Sequence, residues 1–355
     1  CDVGPVQESR EGKPGRLREF DGWRAVAVLL VTIGHLGTYQ REQRLAFIPR
    51  LAFMVRGFDP AGVAMLLVLS GFCICRLLME EERRRGVVSL RALYWRGACR
   101  ILPMVYLYLA AIALLLRAGA IKDSWPGVAT AAALLFDVHF LPNWFTSHTW
   151  FFAVEAHFYL VVSIAWILLP KPRRAFGLLG LVCAVAIWNL IAICIATSSK
   201  MLIEMRWGFV WAGFGAMLAL HEQKMRSIGS RVPGWLAAAL FLMLLSRPFT
   251  HEGVAFGFYQ TLVVPFAISL VLLFSLERGK WLRVLLCSKP VQALGLTAYG
   301  SFLWQQLFTA APFNFAGSWQ FIPRLLPMML LIVPLSYFFI EQPARRLGRV
   351  LSNQS

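Results

Sequence analysis

Long apolar stretches separated by short polar ones run along almost the whole chain, and this pattern predicts an all-α fold. A helix needs about 20 apolar residues to cross the roughly 30 Å hydrocarbon core of a bilayer. The pattern predicts a single polytopic membrane helix bundle over residues 1–355, with about ten transmembrane spans and no appended soluble domain. The ten stretches lie at 25–40, 61–79, 101–119, 149–169, 175–195, 206–221, 234–246, 255–276, 296–313 and 323–340.

An eleventh apolar segment, 127–142, is weaker because it contains Asp137, His139 and Pro142. The distribution of basic residues decides whether this segment crosses. Ten spans and a cytoplasmic N-terminus place most Lys and Arg residues in cytoplasmic loops, as the positive-inside rule requires. An eleventh span would put the basic cluster at 171–174 outside. We therefore predict that 127–142 is a re-entrant or interfacial segment and that both termini are cytoplasmic.

Composition supports a membrane protein and argues against other classes. Hydrophobic residues make up 58% of the 355 residues, charged residues 15%, and the mean hydropathy is +0.63. The net charge of +17 would suggest a nucleic-acid partner for a soluble protein. Here the basic residues lie in short loops, where they orient helices and contact membrane lipids or a phosphorylated cosubstrate. We expect no nucleic-acid partner and, because the seven cysteines show no metal-ligand pattern, no metal.

Two ionisable residues, Arg24 and His35, lie in or next to the first apolar stretch. A rise of about 1.5 Å per residue puts His35 about 16 Å deeper than Arg24, near the middle of the hydrocarbon core. Ionisable groups at that depth usually face a cavity or a partner. We therefore predict that His35 belongs to a functional site. The alternative is a buried histidine that only bonds a neighbouring helix.

The fourth apolar stretch carries Glu155 at a depth similar to that of His35, because the two spans run in opposite directions. A buried carboxylate and an imidazole at one level offset each other's desolvation cost. The sequence thus predicts that Glu155 pairs with His35, either for catalysis or as a structural ion pair. His148 shares a helix face with Glu155 and is expected to line the same cavity, whereas His157 points elsewhere.

A second polar cluster, Arg96 and Arg100, precedes the third apolar stretch, with Pro103 in its predicted first turn. The two arginines are four residues apart and share one helix face. Guanidinium groups suit phosphate or pyrophosphate because they offer planar, bidentate donors. The pair therefore predicts a phosphate-binding site, and the alternative is ordinary basic flanking of a membrane span.

These residues, in this order, resemble the acyltransferase-3 family of integral membrane O-acyltransferases. The family opens on a basic residue and a histidine separated by ten residues, as Arg24 and His35 are. The remaining family motifs follow along nearly the whole chain, as Leu69-Ser70-Gly71-Phe72, Arg96…Arg100-Ile101-Leu102-Pro103, Trp150…Glu155…Phe158-Tyr159 and Glu341-Gln342-Pro343.

Three positions depart from the family pattern. An acid that often precedes Leu-Ser-Gly-Phe is Ala64 here, and Asp21 or Asp59 is the candidate substitute. The basic residue that often follows the first arginine of the Arg96 motif is Gly97. A late signature that ends in histidine survives only as 298–305, where Gln305 takes the histidine's place.

The resemblance implies transfer of an acyl group, usually acetyl, from cytoplasmic acyl-CoA to a hydroxyl of a carbohydrate or lipid-linked glycan acceptor. It implies a bacterial inner-membrane enzyme that requires acyl-CoA as cosubstrate. Arg24, Arg96 and Arg100 become the candidates for the coenzyme phosphates. His148, Trp150 and Tyr159 become the candidates for the acceptor site. Whether that acceptor is a surface polysaccharide, a lipo-oligosaccharide, peptidoglycan or a secondary metabolite stays open.

We expect His35 and Glu155 to be catalytic. A neutral His35 would act as general base on the acceptor hydroxyl or would carry the acyl group on a ring nitrogen. Glu155 would fix the tautomer of the ring. The alternative from another class is a proton-coupled transporter of a sugar or lipid-linked intermediate, because a membrane His and Glu also form a proton relay. A transporter would favour paired repeat halves, which the sequence does not show.

Overall fold

The computed structural model of the protein describes residues 17–42, 55–139, 141, 143–195, 200–246, 254–309 and 326–353. Within these residues the chain is helical and forms no extended strand, which agrees with the predicted all-α class. The first nine helices are α1 Arg18–Glu42, α2 Phe58–Arg85, α3 Leu90–Arg117, α4 Trp125–Ala132, α5 Trp144–Ser147, α6 Trp150–Leu168, α7 Arg174–Ile195, α8 Lys200–Leu220 and α9 Glu222–Gly229.

The second half of the chain is built from shorter helices. They are α10 Gly234–Ser246, α11 Val254–Phe258, α12 Val264–Glu277, α13 Lys280–Leu286, α14 Lys289–Leu296, α15 Ala298–Phe308, α16 Met329–Ser336 and α17 Gln342–Asn353. Five-residue π-helical turns, Tyr259–Val263 and Tyr337–Glu341, join α11 to α12 and α16 to α17. Single 3₁₀ turns lie at Val55–Gly57, Lys171–Arg173 and Leu326–Met328.

Five stretches of the described chain are long and apolar enough to cross a membrane, not the ten that the sequence predicts. They are Phe58–Arg85, Leu90–Arg117, Trp144–Leu168, Lys171–Ile193 and Val254–Glu277. A sixth forms only if α9 and α10, which bend by 105° at their junction, count as one span. Large apolar side chains such as Leu114 and Phe176 point outward with 72% and 76% of their surface exposed. This surface is that of an integral membrane protein.

The other predicted spans are not confirmed, and the described helices show separate physical reasons for this. Helix α1 begins with charged residues that include Glu19, Asp21 and Arg24. These residues shorten the uninterrupted apolar part of the helix. Helix α10 has only 13 residues, and α15 has 11. The predicted spans 296–313 and 323–340 lie partly outside the described residues.

The segment 127–142 does not cross the bundle. Its first part belongs to α4, whose eight residues rise only about 12 Å. Ser124 caps this helix by accepting a hydrogen bond from the Gly127 amide at 3.0 Å. Turns follow α4, so the prediction that this segment is not a span is confirmed for its described residues.

Helix α2 lies at the centre of the bundle and packs against α1, α6, α8 and α12. Two glycines bring α2 and α8 unusually close. A Cβ atom at Gly71 would lie 1.8 Å from the Ala212 carbonyl oxygen, and one at Gly215 would lie 1.9 Å from the Val68 carbonyl oxygen. Because each glycine faces backbone of the other helix, no larger residue fits at either position.

Helix α3 begins at Leu90, capped by Ser89, and therefore starts well before the predicted span at 101. Pro103 lies inside this helix rather than in its first turn. Arg96 and Arg100 are consequently held on regular helix, one turn apart. Helix α17 packs along α3, which brings the end of the chain next to these two arginines.

Candidate active site

A cavity of about 900 Å³ opens at the end of the bundle that the sequence predicts to face the cytoplasm. Helices α1, α2, α3, α6, α15 and α17 contribute to its wall. Its volume is at the upper end of the range for ligand pockets, about 300–1,000 Å³, so it admits a ligand much larger than an acetylated sugar residue.

The wall of the cavity is strongly basic. It carries eight arginines and four carboxylates, which leaves a formal excess of four positive charges. The carboxylates are Asp21, Glu80, Glu81 and Glu155, and the arginines are Arg24, Arg76, Arg84, Arg96, Arg100, Arg345, Arg346 and Arg349. Several guanidinium groups that surround one space suit a polyanion such as a pyrophosphate.

Arg24 is fixed at this wall by two contacts. Its Nη1 atom lies 2.7 Å from Asp21 Oδ1, one helical turn earlier, and its Nη2 atom donates to Cys73 Sγ at 3.1 Å. Asp21 thus supplies a charge partner for Arg24, whereas the position of the family's acid is the fully buried Ala64.

Glu155 pairs with Arg100 rather than with His35. The Arg100 Nη2 atom lies 3.2 Å from Glu155 Oε1, and the carboxyl group is almost completely buried at the cavity wall. Glu155 Oε2 has no hydrogen-bond partner among the described residues. The predicted His35–Glu155 pair is therefore wrong as a contact, because the same depth in the membrane does not imply the same direction around the helix axis.

Glu341, at the end of the π-helical turn, adds a second buried carboxylate near Arg100. It forms an ion pair with Arg345 one turn later in α17. Burial raises the pKa of Glu341, while Arg345 and then Arg100 oppose this effect. Arg100 thus lies between two acids, and both belong to motifs that the sequence singles out.

Arg96 lines the cavity beside Arg100, and its Nη2 atom donates to Glu81 Oε2 at 2.7 Å. All three sequence-predicted phosphate ligands, Arg24, Arg96 and Arg100, therefore face one space, although they come from two helices. This convergence is as predicted, and their role in binding stays a prediction.

His35 lies outside the cavity, in a separate polar cluster. Its Nδ1 atom is 2.9 Å from Gln305 Oε1, and its ring lies 5.8 Å from the Trp144 ring. His148 is an electrostatic neighbour of His35 and is almost completely buried. The ring of His148 forms a hydrogen bond with the backbone of Leu303. The predicted proximity of His148 to His35 agrees with this arrangement.

Aromatic side chains lie between the cavity and His148. Phe151, Phe152 and Phe302 all line the cavity, and their ring centroids lie 4.8–5.6 Å apart. On the other side, the Phe302 ring lies 5.9 Å from the His148 ring. We call these three phenylalanines the aromatic layer.

Two predicted acceptor-site residues, Trp150 and Tyr159, make their contacts away from the cavity and from the polar cluster around His35. Tyr159 donates from its hydroxyl to the Leu93 carbonyl at 2.8 Å, which ties α6 to α3. The Trp150 ring packs beside Gly208 of α8. His157 bonds Asp137 at 2.6 Å, as a helix-linking histidine would. The acceptor-site roles of Trp150 and Tyr159 therefore receive no support from their positions.

The structure also shows site residues that sequence reasoning did not single out. Arg345, Arg346 and Arg349 belong to the basic residues that the sequence places in the cytoplasm, and all three line the cavity. Their spacing of one and four residues on an amphipathic helix was the available signal. Gln305 stands out in the sequence only as a departure from a family signature, and Gln306 carries no such signal. Among the described residues, no group of three His, Cys, Asp or Glu side chains is arranged to hold a metal ion.

Comparison with known proteins identifies one family over nearly the whole chain. Residues 17–341 match the family described as "Acyltransferase domain". Staphylococcus aureus proteins are similar to the chain at 23% identity. One is O-acetyltransferase OatA of strain NCTC 8325 / PS 47, matched over 94% of this chain and 58% of its own length. Another is Putative O-acetyltransferase SACOL0978 of strain COL, over 93% and 57%. The chain thus spans less than two thirds of these relatives. No solved structure matches the chain.

Proposed function

The chain belongs to the acyltransferase-3 family, and from that premise we propose that it transfers an acetyl group from cytoplasmic acyl-CoA to a hydroxyl of a carbohydrate or lipid-linked glycan. The acetyl group follows from the relatives, which are named O-acetyltransferases. The proposed location is the bacterial inner membrane, with about ten crossings and both termini in the cytoplasm.

One observation carries the donor assignment, namely the cavity of about 900 Å³ with its eight arginines. Acyl-CoA is a long molecule whose nucleotide end bears several phosphate charges and whose acyl end is small and neutral. Charge-assisted hydrogen bonds from guanidinium groups suit the phosphates. The aromatic layer in the cavity wall suits the apolar pantetheine arm and the acyl group. The ring of His148, an electrostatic neighbour of His35, lies next to Phe302 of this layer.

In this proposal the acceptor hydroxyl approaches His35 and not the arginine-lined cavity. The hydroxyl proton moves to a neutral ring nitrogen of His35 as the oxygen attacks the acyl carbon. The carbon–sulfur bond then breaks, and the coenzyme thiolate takes the proton from the imidazolium. Glu155 holds Arg100 at the cavity wall and is assigned to donor positioning rather than to the ring of His35.

The test is transfer and binding by the purified full chain in lipid nanodiscs. Labelled acetyl-CoA should bind and should be consumed, slowly by water and faster with an acceptor hydroxyl. S-acetylpantetheine, which keeps the thioester but lacks the phosphates, should bind at least tenfold more weakly. Equal affinity for both compounds would contradict the assignment of the cavity to the phosphates. Sugar flux into vesicles without acetyl-CoA consumption would favour the transporter alternative.

Replacing Arg346 and Arg349 together with alanine should raise the KM for acetyl-CoA by about tenfold or more and change kcat little. Each removed guanidinium costs on the order of 1 kcal/mol of phosphate binding in a cavity open to water. Initial rates against acetyl-CoA concentration measure the effect. Arg173 and Arg231 are exposed and do not line the cavity, so the R173A/R231A variant should keep the native KM.

A further inference from the structure

Two buried glutamines of α15, Gln305 and Gln306, link His35 to the backbone of α5. The His35 Nδ1 atom lies 2.9 Å from Gln305 Oε1. Gln305 Nε2 donates to Gln306 Oε1 at 3.2 Å, and Gln306 Nε2 donates to the Trp144 carbonyl at 2.9 Å. Both glutamine residues are at least 97% buried. These contacts form a continuous chain, which we call the amide relay.

The Trp144 end of the amide relay fixes which groups donate and which accept hydrogen bonds along it. A backbone carbonyl only accepts hydrogen bonds, so Gln306 must present its NH₂ group to Trp144 and its Oε1 atom to Gln305. Gln305 must then present its NH₂ group to Gln306 and its Oε1 atom to His35. Reversing either amide would set two oxygens, or two NH₂ groups, against each other. The Trp144 ring strengthens this anchor, since its Nε1 donates to the Gln306 carbonyl at 3.1 Å.

The direction of the relay determines the tautomer of His35. An oxygen faces Nδ1, so the ring proton lies on Nδ1 and the lone pair of the neutral ring lies on Nε2. We propose that Gln305 and Gln306 are positioning residues that hold the His35 ring with its proton on Nδ1 and with Nε2 available to take the proton of the acceptor hydroxyl. This assignment rests on the proposed function for the use of Nε2, but the tautomer itself does not depend on it.

An amide orients the His35 ring differently from a carboxylate. Both accept a hydrogen bond from Nδ1, but a carboxylate also attracts the charged imidazolium, whereas the amide has no charge. A general base must be unprotonated before it acts. Gln305, which replaces the histidine of the family's late signature, therefore provides orientation without a second titrating ring at this position. Thr309 supports it, with its hydroxyl 3.2 Å from Gln305 Oε1.

Nitrogen-15 NMR of the full chain with labelled histidine tests the tautomer without any turnover. His35 is assigned by its loss in H35A. At neutral pH the native ring should show protonated Nδ1 and bare Nε2. In Q305L and Q306L the ring should populate both tautomers. Gln260 is buried in the π-helical turn outside the relay, so Q260L should leave the His35 spectrum native.

Kinetics then connect the tautomer to the reaction. Q306L should lower kcat about tenfold with an unchanged KM for acetyl-CoA, because it leaves both His35 and the cavity in place. A native His35 with protonated Nε2, or an unaltered spectrum in folded Q305L and Q306L, would overturn the relay. A fixed Nδ1-protonated tautomer in a chain that does not transfer acetyl groups would instead leave the relay standing and reject the proposed function.

Discussion

Replacing His35 with alanine is expected to lower acyl transfer by about 10²–10⁴-fold, the range that general-base catalysis contributes. The reason is the proposed role of His35 as the base that takes the proton of the acceptor hydroxyl. Acetyl-CoA should still bind with native affinity, because His35 does not line the cavity. Transfer of labelled acetyl and donor binding, measured on the same nanodisc preparation, separate the two effects.

The control for this substitution is another histidine of the chain. His139 is exposed and lies in the turns after α4, so H139A should retain native transfer. Native transfer by H35A at native expression would remove His35 from the reaction. Loss of donor binding in H35A would show instead that the cavity and the histidine cluster form one binding site.

The second large effect concerns folding. Replacing Gly71 with leucine should prevent α2 and α8 from packing, because even the Cβ atom would lie 1.8 Å from the Ala212 carbonyl oxygen. Overpacking a core typically costs about 1–3 kcal/mol when side chains can move aside. Here the obstacle is backbone, so the cost should exceed that range, and little folded protein should survive detergent extraction.

Fluorescence-detected gel filtration after a temperature series measures this loss. Gly180 of α7 offers a matched control, since no atom lies within 4 Å of a Cβ built at that position. G180L should therefore elute and melt like the native chain. A native melting temperature for G71L would mean that α2 and α8 lie farther apart than the structure places them.

The sequence predicted the helical class, the membrane character and the elements that carry the chemistry, because periodicity and charge depend on local residues. It also predicted the five stretches that are long and apolar enough to cross a membrane, whereas the other five predicted spans are not confirmed among the described residues. Charged residues in the first turns of α1 and the breaks around α10 and α15 shorten those elements. Hydropathy averaged over a stretch does not reveal such breaks.

For the candidate site, local patterns indicated which residues matter, but they did not indicate which of these residues meet in the folded chain. Depth could be estimated from the sequence, but the direction of a side chain around the helix axis could not, so Glu155 was assigned to His35 instead of Arg100. The partner of His35, Gln305, is 270 residues away in sequence. Asp21 was one of two candidates for the missing acid, and its contact with Arg24 one turn away supports it.

The interlocked glycines of α2 and α8 have a consequence for how the protein is made. About 140 residues separate Gly71 from Ala212, and at about 5–20 residues per second a ribosome needs about 7–28 s to synthesise them. During that time α2 lies in the bilayer without the backbone it is shaped to meet. Lipid chains or an insertion factor must cover its small-residue face until α8 emerges. A translation product that stops before residue 212 would keep that face uncovered, and we expect membrane quality-control proteases to remove it.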